Sequence, residues 1–221
     1  MKDWKYALMQ IPGVRQLSSV RTYLVAHWFD LYHRVKTCGV EYPHELRVIG
    51  GNASHAIAYI PTTPSCGRHM LRDLPISDVS SYTFLDIGSG KGRMLLLAAE
   101  LPFRRVVGVE FAADLDEIAR RNVTTYRNPN QRCFRIEPIH ADATQFEFPN
   151  EPTILYFFYP FDESVMRPVI ENLDRSLVEH PRDVIVVYRN PVLSSIVDEA
   201  MRLRVLSRRE YFGSPYFIYR S

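Results

Sequence analysis

The sequence predicts a doubly wound α/β fold: a mostly parallel seven-stranded sheet with helices on both faces and an antiparallel last strand, preceded by an N-terminal helical appendage. Three observations predict it. Short apolar runs alternate with stretches of helical period, as crossover units of a parallel sheet require. A glycine-rich turn directly follows one of these runs and opens a helix. The last two runs are joined by a turn around Gly213 to Pro215, too short for a crossover helix, so they form an antiparallel hairpin.

The elements follow in order. Residues 16–37 carry Leu17, Val20, Leu24, Trp28, Leu31 and Val35 at helical spacing, which predicts an amphipathic helix packed on the main domain. From Val40 to Pro64 the pattern is punctuated by Pro43, Gly50, Gly51, Pro61 and Pro64 and reads as a connecting, lid-like region. A short helix is expected from Cys66 to Leu74. Strands then fall at Thr83–Ile87, Arg105–Glu110, Phe134–His140, Thr153–Tyr159, Asp183–Tyr188, Arg202–Ser207 and Tyr216–Arg220. Helices are expected at Lys91–Leu101, Ala113–Tyr126, Glu163–Val178 and Leu193–Ala200. This divides the chain into an extension, residues 1–58, that can cap the site, and a ligand-binding domain, residues 59–221.

Composition narrows the class. The 221 residues suffice for one cored domain with an appendage. With 27 basic and 25 acidic residues the charge is too balanced to call for nucleic acid or a membrane surface as partner. Cys38, Cys66 and Cys133 are odd in number and widely spaced, which argues against a disulfide framework and for the cytoplasm. The opening Met-Lys-Asp-Trp-Lys-Tyr lacks the pattern of a signal peptide, and Val20 to Val35 is interrupted by His27, Asp30, His33 and Arg34, so no membrane insertion is expected. The seven histidines form no metal pattern: Cys66 and His69 have ligand spacing, but no second pair answers them.

The chemistry is concentrated in Asp86-Ile87-Gly88-Ser89-Gly90-Lys91-Gly92. Glycines after a buried strand let the chain turn tightly and bring backbone N–H groups against a ligand at a helix N-terminus. The spacing is neither the Gly-x-Gly-x-x-Gly of dinucleotide binders nor that of a phosphate loop, because Lys91 is followed by Gly92 where a Mg²⁺-binding hydroxyl would stand. Asp86 would repel a pyrophosphate but suits a ligand carrying an amino group and a sulfonium. S-adenosylmethionine (SAM) has both. At the end of the next strand, about 20 residues on, Glu110 is placed to accept two ribose hydroxyls, and Phe111 to flank an adenine. Asp142, ending the third strand, is placed to accept the adenine amine.

These segments, in this order, resemble the class I SAM-dependent methyltransferase superfamily over residues from about 60 to the C-terminus. The resemblance implies that Gly88, Ser89 and Gly90 line the methionine moiety, that Asp86 lies near its amino group, that Glu110 holds the ribose, and that Asp142 and Ala143 border the adenine. Upstream, Tyr59-Ile60-Pro61-Thr62-Thr63-Pro64 resembles the Pro-x-Thr segment of seven-strand protein-lysine methyltransferases, which implies that Thr62 and Thr63 approach the SAM carboxylate. At the fourth strand the superfamily often shows Asn/Asp-Pro-Pro-Tyr when the acceptor is a base amine or a glutamine amide. Here Tyr159-Pro160-Phe161 stands instead, which argues against nucleobase methylation; the likeness to the lysine enzymes implies a protein lysine as acceptor, with a small molecule as the other reading.

Methyl transfer from a sulfonium is an in-line displacement, so positioning and water exclusion matter more than a general base. Tyr159, nearest the productive end of its strand, Asp162 after it, and Asn190 after the fifth strand are the candidate acceptor-side residues, with Arg189 a further substrate contact. Two other readings stay open: a non-catalytic SAM-binding scaffold or sensor, and a nicotinamide-dependent oxidoreductase, against which the glycine spacing argues.

Overall fold

The computed structural model describes residues 12–42, 44, 46–47 and 57–221. Readings that rest on residues 1–11, Pro43, Gly50 and Gly51, and on the side chains of Leu17 and Val20, lie outside that description. Helix α1 (Pro12–His33) leads to α2 (Pro64–Arg72), β1 (Thr83–Ile87), α3 (Arg93–Ala98), β2 (Arg105–Glu110), α4 (Ala113–Thr125) and β3 (Ile136–His140). A 3-10 turn (Ala143–Gln145), β4 (Thr153–Phe158), α5 (Glu163–Glu179), β5 (Val184–Arg189), α6 (Ser194–Asp198), β6 (Arg204–Tyr211) and β7 (Ser214–Arg220) complete the chain.

The seven strands lie in the order β3-β2-β1-β4-β5-β7-β6. The first five are parallel, and β7 runs antiparallel between β5 and β6. Phe212 and Gly213, with φ of 48° and 76°, make the two-residue hairpin turn that joins β6 to β7. The turn therefore falls one residue earlier than expected, and β6 runs on to Tyr211, because this turn type continues both strands to its edge.

Each strand alternates between two cores. Phe84, Val106, Ile154, Tyr156 and Ile185 pack with Met70 and Leu95–Leu97 on one face, while Leu85, Val107, Leu155, Phe157 and Val186 pack with Met166, Val169 and Leu173 of α5 on the other. Each such side chain contributes roughly 1.5–3 kcal/mol on burial, so the strand core, not helix propensity, holds the site's scaffold. Helix α3 begins at Arg93 rather than Lys91, because Gly92 is left-handed, with φ of 82°. Among the described residues no helix is long and apolar enough to cross a membrane.

Helix α1 packs on the face opposite to the one its apolar spacing predicts. Leu24, Trp28 and Leu31 are 59%, 61% and 79% exposed, whereas Phe29 and His33 are buried. Polar bonds set this rotation. Asp30 accepts from the backbone N–H groups of Thr37 (2.6 Å) and Cys38 (2.7 Å) and pairs with Arg93 at 3.3 Å, and His33 Nδ1 bonds the Arg127 carbonyl at 2.8 Å. The helix ends at His33, four residues short of the expected end, where Arg34 turns left-handed with φ of 58°.

Candidate active site

A cleft of about 700 Å³, partly open to solvent, lies at the carboxyl ends of β1, β2 and β4. Ligands bind at this edge in open parallel sheets, where the strand order reverses between β1 and β4. Its lining includes Thr62, Asp86, Gly88, Ser89, Glu110, Phe111 and Tyr159 from the residues the sequence singled out. Thr63, Gly90, Asp142, Ala143, Asp162, Arg189 and Asn190 are not in the lining, although Arg189 bonds Thr62 and stacks on Phe158, which are.

The glycine turn is anchored to β2. Gly88 and Ser89 donate their N–H groups to the Val109 carbonyl, and Gly90 donates to Glu110 Oε2 at 2.7 Å. Glu110 Oε1 accepts from Ala112 N–H at 2.9 Å, so this carboxylate ties the turn to the start of α4. Gly88 and Gly90 have φ of 79° and 54°, and a Cβ on Gly88 would lie 2.6 Å from Pro160 Cβ. A side chain at Gly88 would close the cleft where backbone must approach a ligand, and one at Gly90 would meet the Tyr59 ring.

Asp86 is buried beside Glu110, and no described group donates a hydrogen bond to its carboxylate. Burial first, and then the charge of Glu110, push its pKa well above the ordinary carboxylate value. Burial also raises Glu110, with the Ala112, Gly90 and Phe111 N–H groups opposing it. The Ser89 hydroxyl is buried with no partner among the described residues. A cleft floor with two neighbouring carboxylates, one lacking a donor among the described residues, and a hydroxyl equally without a described partner is suited to a cationic, hydrogen-bonding ligand. The amino group of SAM can donate to these acceptors, and its sulfonium charge suits the carboxylates.

The remaining candidates sit around this floor. Thr62 is buried, and its hydroxyl shares a 2.8 Å bond with Tyr156 Oη and accepts from Arg189 Nη1 at 3.0 Å. Thr63 precedes α2 and makes no side-chain cap, though its carbonyl accepts from Gly67 N–H. Asp142 caps the 3-10 turn, accepting from the N–H and hydroxyl of Thr144, with Ala143 buried behind it. Asp162 caps α5 through Ser164 N–H at 3.0 Å and its hydroxyl at 2.6 Å. Tyr159 and Asn190, at the ends of β4 and β5, both have left-handed backbones, with φ of 42° and 49°.

Sequence reasoning did not select Tyr59, Arg93, Tyr156 or Pro160, all of which line the cleft. Tyr59 reaches Gly90 with its ring and donates its hydroxyl to the Thr37 carbonyl at 2.8 Å. Arg93, fully buried, bonds Thr37 Oγ1 at 2.6 Å and Asp30, and Lys91 pairs with Glu41 at 2.5 Å. The Lys-Gly-Arg after the last Gly-x-Gly held the signal: two cations beside a buried turn require partners, and both come from the N-terminal segment.

The parallel sheet with one inserted antiparallel strand, in the order β3-β2-β1-β4-β5-β7-β6, is the fold of class I methyltransferases. Residues 84–180 match the family model described as "Methyltransferase domain". A curated relative, the release factor glutamine methyltransferase of Vibrio cholerae, is 39% identical over 66 residues, covering 28% of this chain and 23% of the relative. The match thus spans under a quarter of that protein's length. Among solved structures, the putative methyltransferase yhhF of Escherichia coli is 15% identical with a TM-score of 0.55, covering 82% of this chain and 98% of that one. A predicted N6-adenine-specific DNA methylase from Listeria monocytogenes is 13% identical with a TM-score of 0.54, covering 72% and 51%. At such identities the likeness concerns the fold. Residues 84–180 thus carry the likeness to a methyltransferase domain, and the sheet has the class I methyltransferase fold.

Proposed function

We propose that the chain binds SAM in the cleft and transfers its methyl group to an acceptor that is either a protein lysine side chain or a small molecule. The observation that carries this reading is Asp86, a buried carboxylate with no hydrogen-bond donor among the described residues, set beside Glu110 at the glycine turn. In the proposal Asp86 receives the amino group, Gly88, Ser89 and Gly90 line the methionine, Glu110 takes the ribose hydroxyls with its remaining lone pairs, and Phe111, Asp142 and Ala143 border the adenine. Thr62 and Thr63 lie toward the carboxylate.

Bound SAM supplies an electrophilic methyl group on a sulfonium. The protein's share is to hold the acceptor in line with it and keep water out. Phe158, Tyr159 and Phe161 form an aromatic wall on the β4 side of the cleft, and ring faces attract cationic groups such as a methylated lysine. Tyr159, Asp162 and Asn190 are assigned to the acceptor side, and residues 1–58 to a cap.

Isothermal titration with SAM tests the donor half: saturable binding is expected, and folded protein that binds nothing at millimolar SAM would overturn it. Glu110→Ala should weaken binding by at least about tenfold, because it removes the ribose acceptor and leaves the Gly90 N–H unpaired. Incubation with labelled SAM and cell extract tests the acceptor half. Label is expected in a protein band or a metabolite; label in nucleic acid would overturn this assignment, and none at all would favour a non-catalytic SAM-binding scaffold.

A further inference from the structure

We propose that Arg189 holds the carboxylate of the methyl donor, so that the cleft reads the donor's amino acid end as a zwitterion, with Asp86 on the ammonium and Arg189 and Thr62 on the carboxylate. The proposal rests on the SAM-binding reading above. It moves Arg189 from the acceptor side, where its place in the sequence put it, to the donor.

Strand register carries the first part of the argument. Asp86 pairs with Tyr156, and Phe158 pairs with Arg189, across adjacent parallel strands. Directly paired residues point to the same face of a sheet, as do residues two apart on one strand. Asp86, Tyr156, Phe158 and Arg189 therefore share one face at the carboxyl edge. Thr62 closes the row from above, bonded both to Tyr156 Oη and to Arg189 Nη1.

Charge carries the second part. The other two buried cations beside the glycine turn are neutralised by carboxylates: Arg93 by Asp30 and Lys91 by Glu41. Elsewhere Arg68 pairs with Glu100, Arg105 with Glu151 and Arg220 with Asp183. Arg182, held by the Ser176 and His180 carbonyls and the Ser176 hydroxyl, shares with Arg189 a set of neutral hydrogen-bond partners, but none of its partners lines the cleft, whereas Arg189 bonds the cleft-lining Thr62. Arg189, half-buried, has only neutral partners among the described residues. Its Nε and Nη2 donate to Ser214 Oγ at 3.3 and 3.1 Å, its Nη1 donates to Thr62 Oγ1, and its guanidinium carbon lies 3.8 Å from the centre of the Phe158 ring. The stacking and the Ser214 contacts fix the orientation of a fork that has more donors than these partners use. A fixed guanidinium lacking a counter-ion is matched by a planar carboxylate. The donor's own carboxylate stands one bond from the carbon that bears the ammonium assigned to Asp86.

The test compares two ligands that share nucleoside and thioether but differ in the amino acid end: S-adenosylhomocysteine has it, and 5′-methylthioadenosine does not. Calorimetric titration of both into wild type and Arg189→Met should show the homocysteine ligand weakened at least about tenfold, the size of a lost charged hydrogen bond, with methylthioadenosine unchanged. Arg189→Lys, which keeps the charge but not the fork, should show a smaller loss confined to the same ligand, and it serves if the Met variant does not fold. Equal weakening of both ligands would make Arg189 a structural wall and overturn the proposal; no change in either would also overturn it, returning Arg189 to the acceptor side. Failure of wild type to bind either ligand would instead overturn the donor reading, and this assignment with it.

Discussion

The ring of Tyr59 fills the space where any side chain at residue 90 would stand: a Cβ on Gly90 would lie 2.2 Å from Cδ2 and Cε2 of that ring. The turn can thus be covered by residue 59 only because residue 90 is glycine. Its positive φ of 54° adds a second reason. Gly90→Ala should cost about 2 kcal/mol from overpacking and backbone strain. Urea unfolding of Gly90→Ala, Tyr59→Ala and the double variant should give a double-variant cost smaller than the sum; strict additivity would show that the two residues do not compete for the same space.

Asp30 joins the N-terminal helix to the glycine turn through Arg93, which is almost wholly buried. Removing one partner of a buried ion pair leaves the other uncompensated, at a cost of about 3–5 kcal/mol. Asp30→Ala should therefore lower stability by that order and open residues 30–41 to limited proteolysis, while Asp78→Ala, an exposed control at a surface turn, should do neither.

Lys91 and Glu41 form a pair whose halves differ in exposure: the lysine side chain is 7% exposed, the glutamate 33%. Water can satisfy a stranded Glu41 but not a stranded Lys91, so Glu41→Ala should destabilise more than Lys91→Met. Equal or inverted costs in chemical denaturation would show that the hydrogen bond to the Cys38 carbonyl and the Tyr59 ring beneath the ammonium outweigh the ion pair.

Burial and Glu110 raise the Asp86 pKa above its ordinary 3.8. The sign follows from proton linkage: the folded protein holds this proton more tightly than the unfolded chain, so the stability of the free protein falls as pH rises from about 3.8 through the raised value. A cationic ligand prefers the carboxylate, so SAM affinity should rise over the same interval, with proton release on binding. Calorimetry in buffers of different ionisation enthalpy reads that proton. Asp86→Asn should weaken SAM binding and remove the Asp86 part of the pH dependence; an unchanged pH profile would place the titrating group elsewhere.

Much of the donor side was legible in the sequence because it depends on local rules. A buried strand, an acid and three spaced glycines dictate a turn with exposed N–H groups, and β1 and β2 fall within the bounds their apolar runs set. Other boundaries shifted where backbone geometry outweighs pattern, as at Gly92, which starts α3 two residues late, and at Phe212-Gly213, which lengthens β6. The roles of Arg93, Lys91 and Arg189 were not legible in this way. Their partners lie dozens to over a hundred residues away in the chain, and no spacing rule connects them.

By itself the sequence determined the class of fold, the placing of Asp86 and Glu110 at adjacent strand ends, and a ligand with a nucleoside and a positive charge, because strand period and turn chemistry act over a few residues. Only the tertiary structure decided which face of the N-terminal helix turns inward and which cations are neutralised. Helical spacing marks an apolar face but not what will cover it, and here Asp30, tied to Arg93 and to the Thr37 and Cys38 N–H groups, holds the helix with Leu24, Trp28 and Leu31 on the outside.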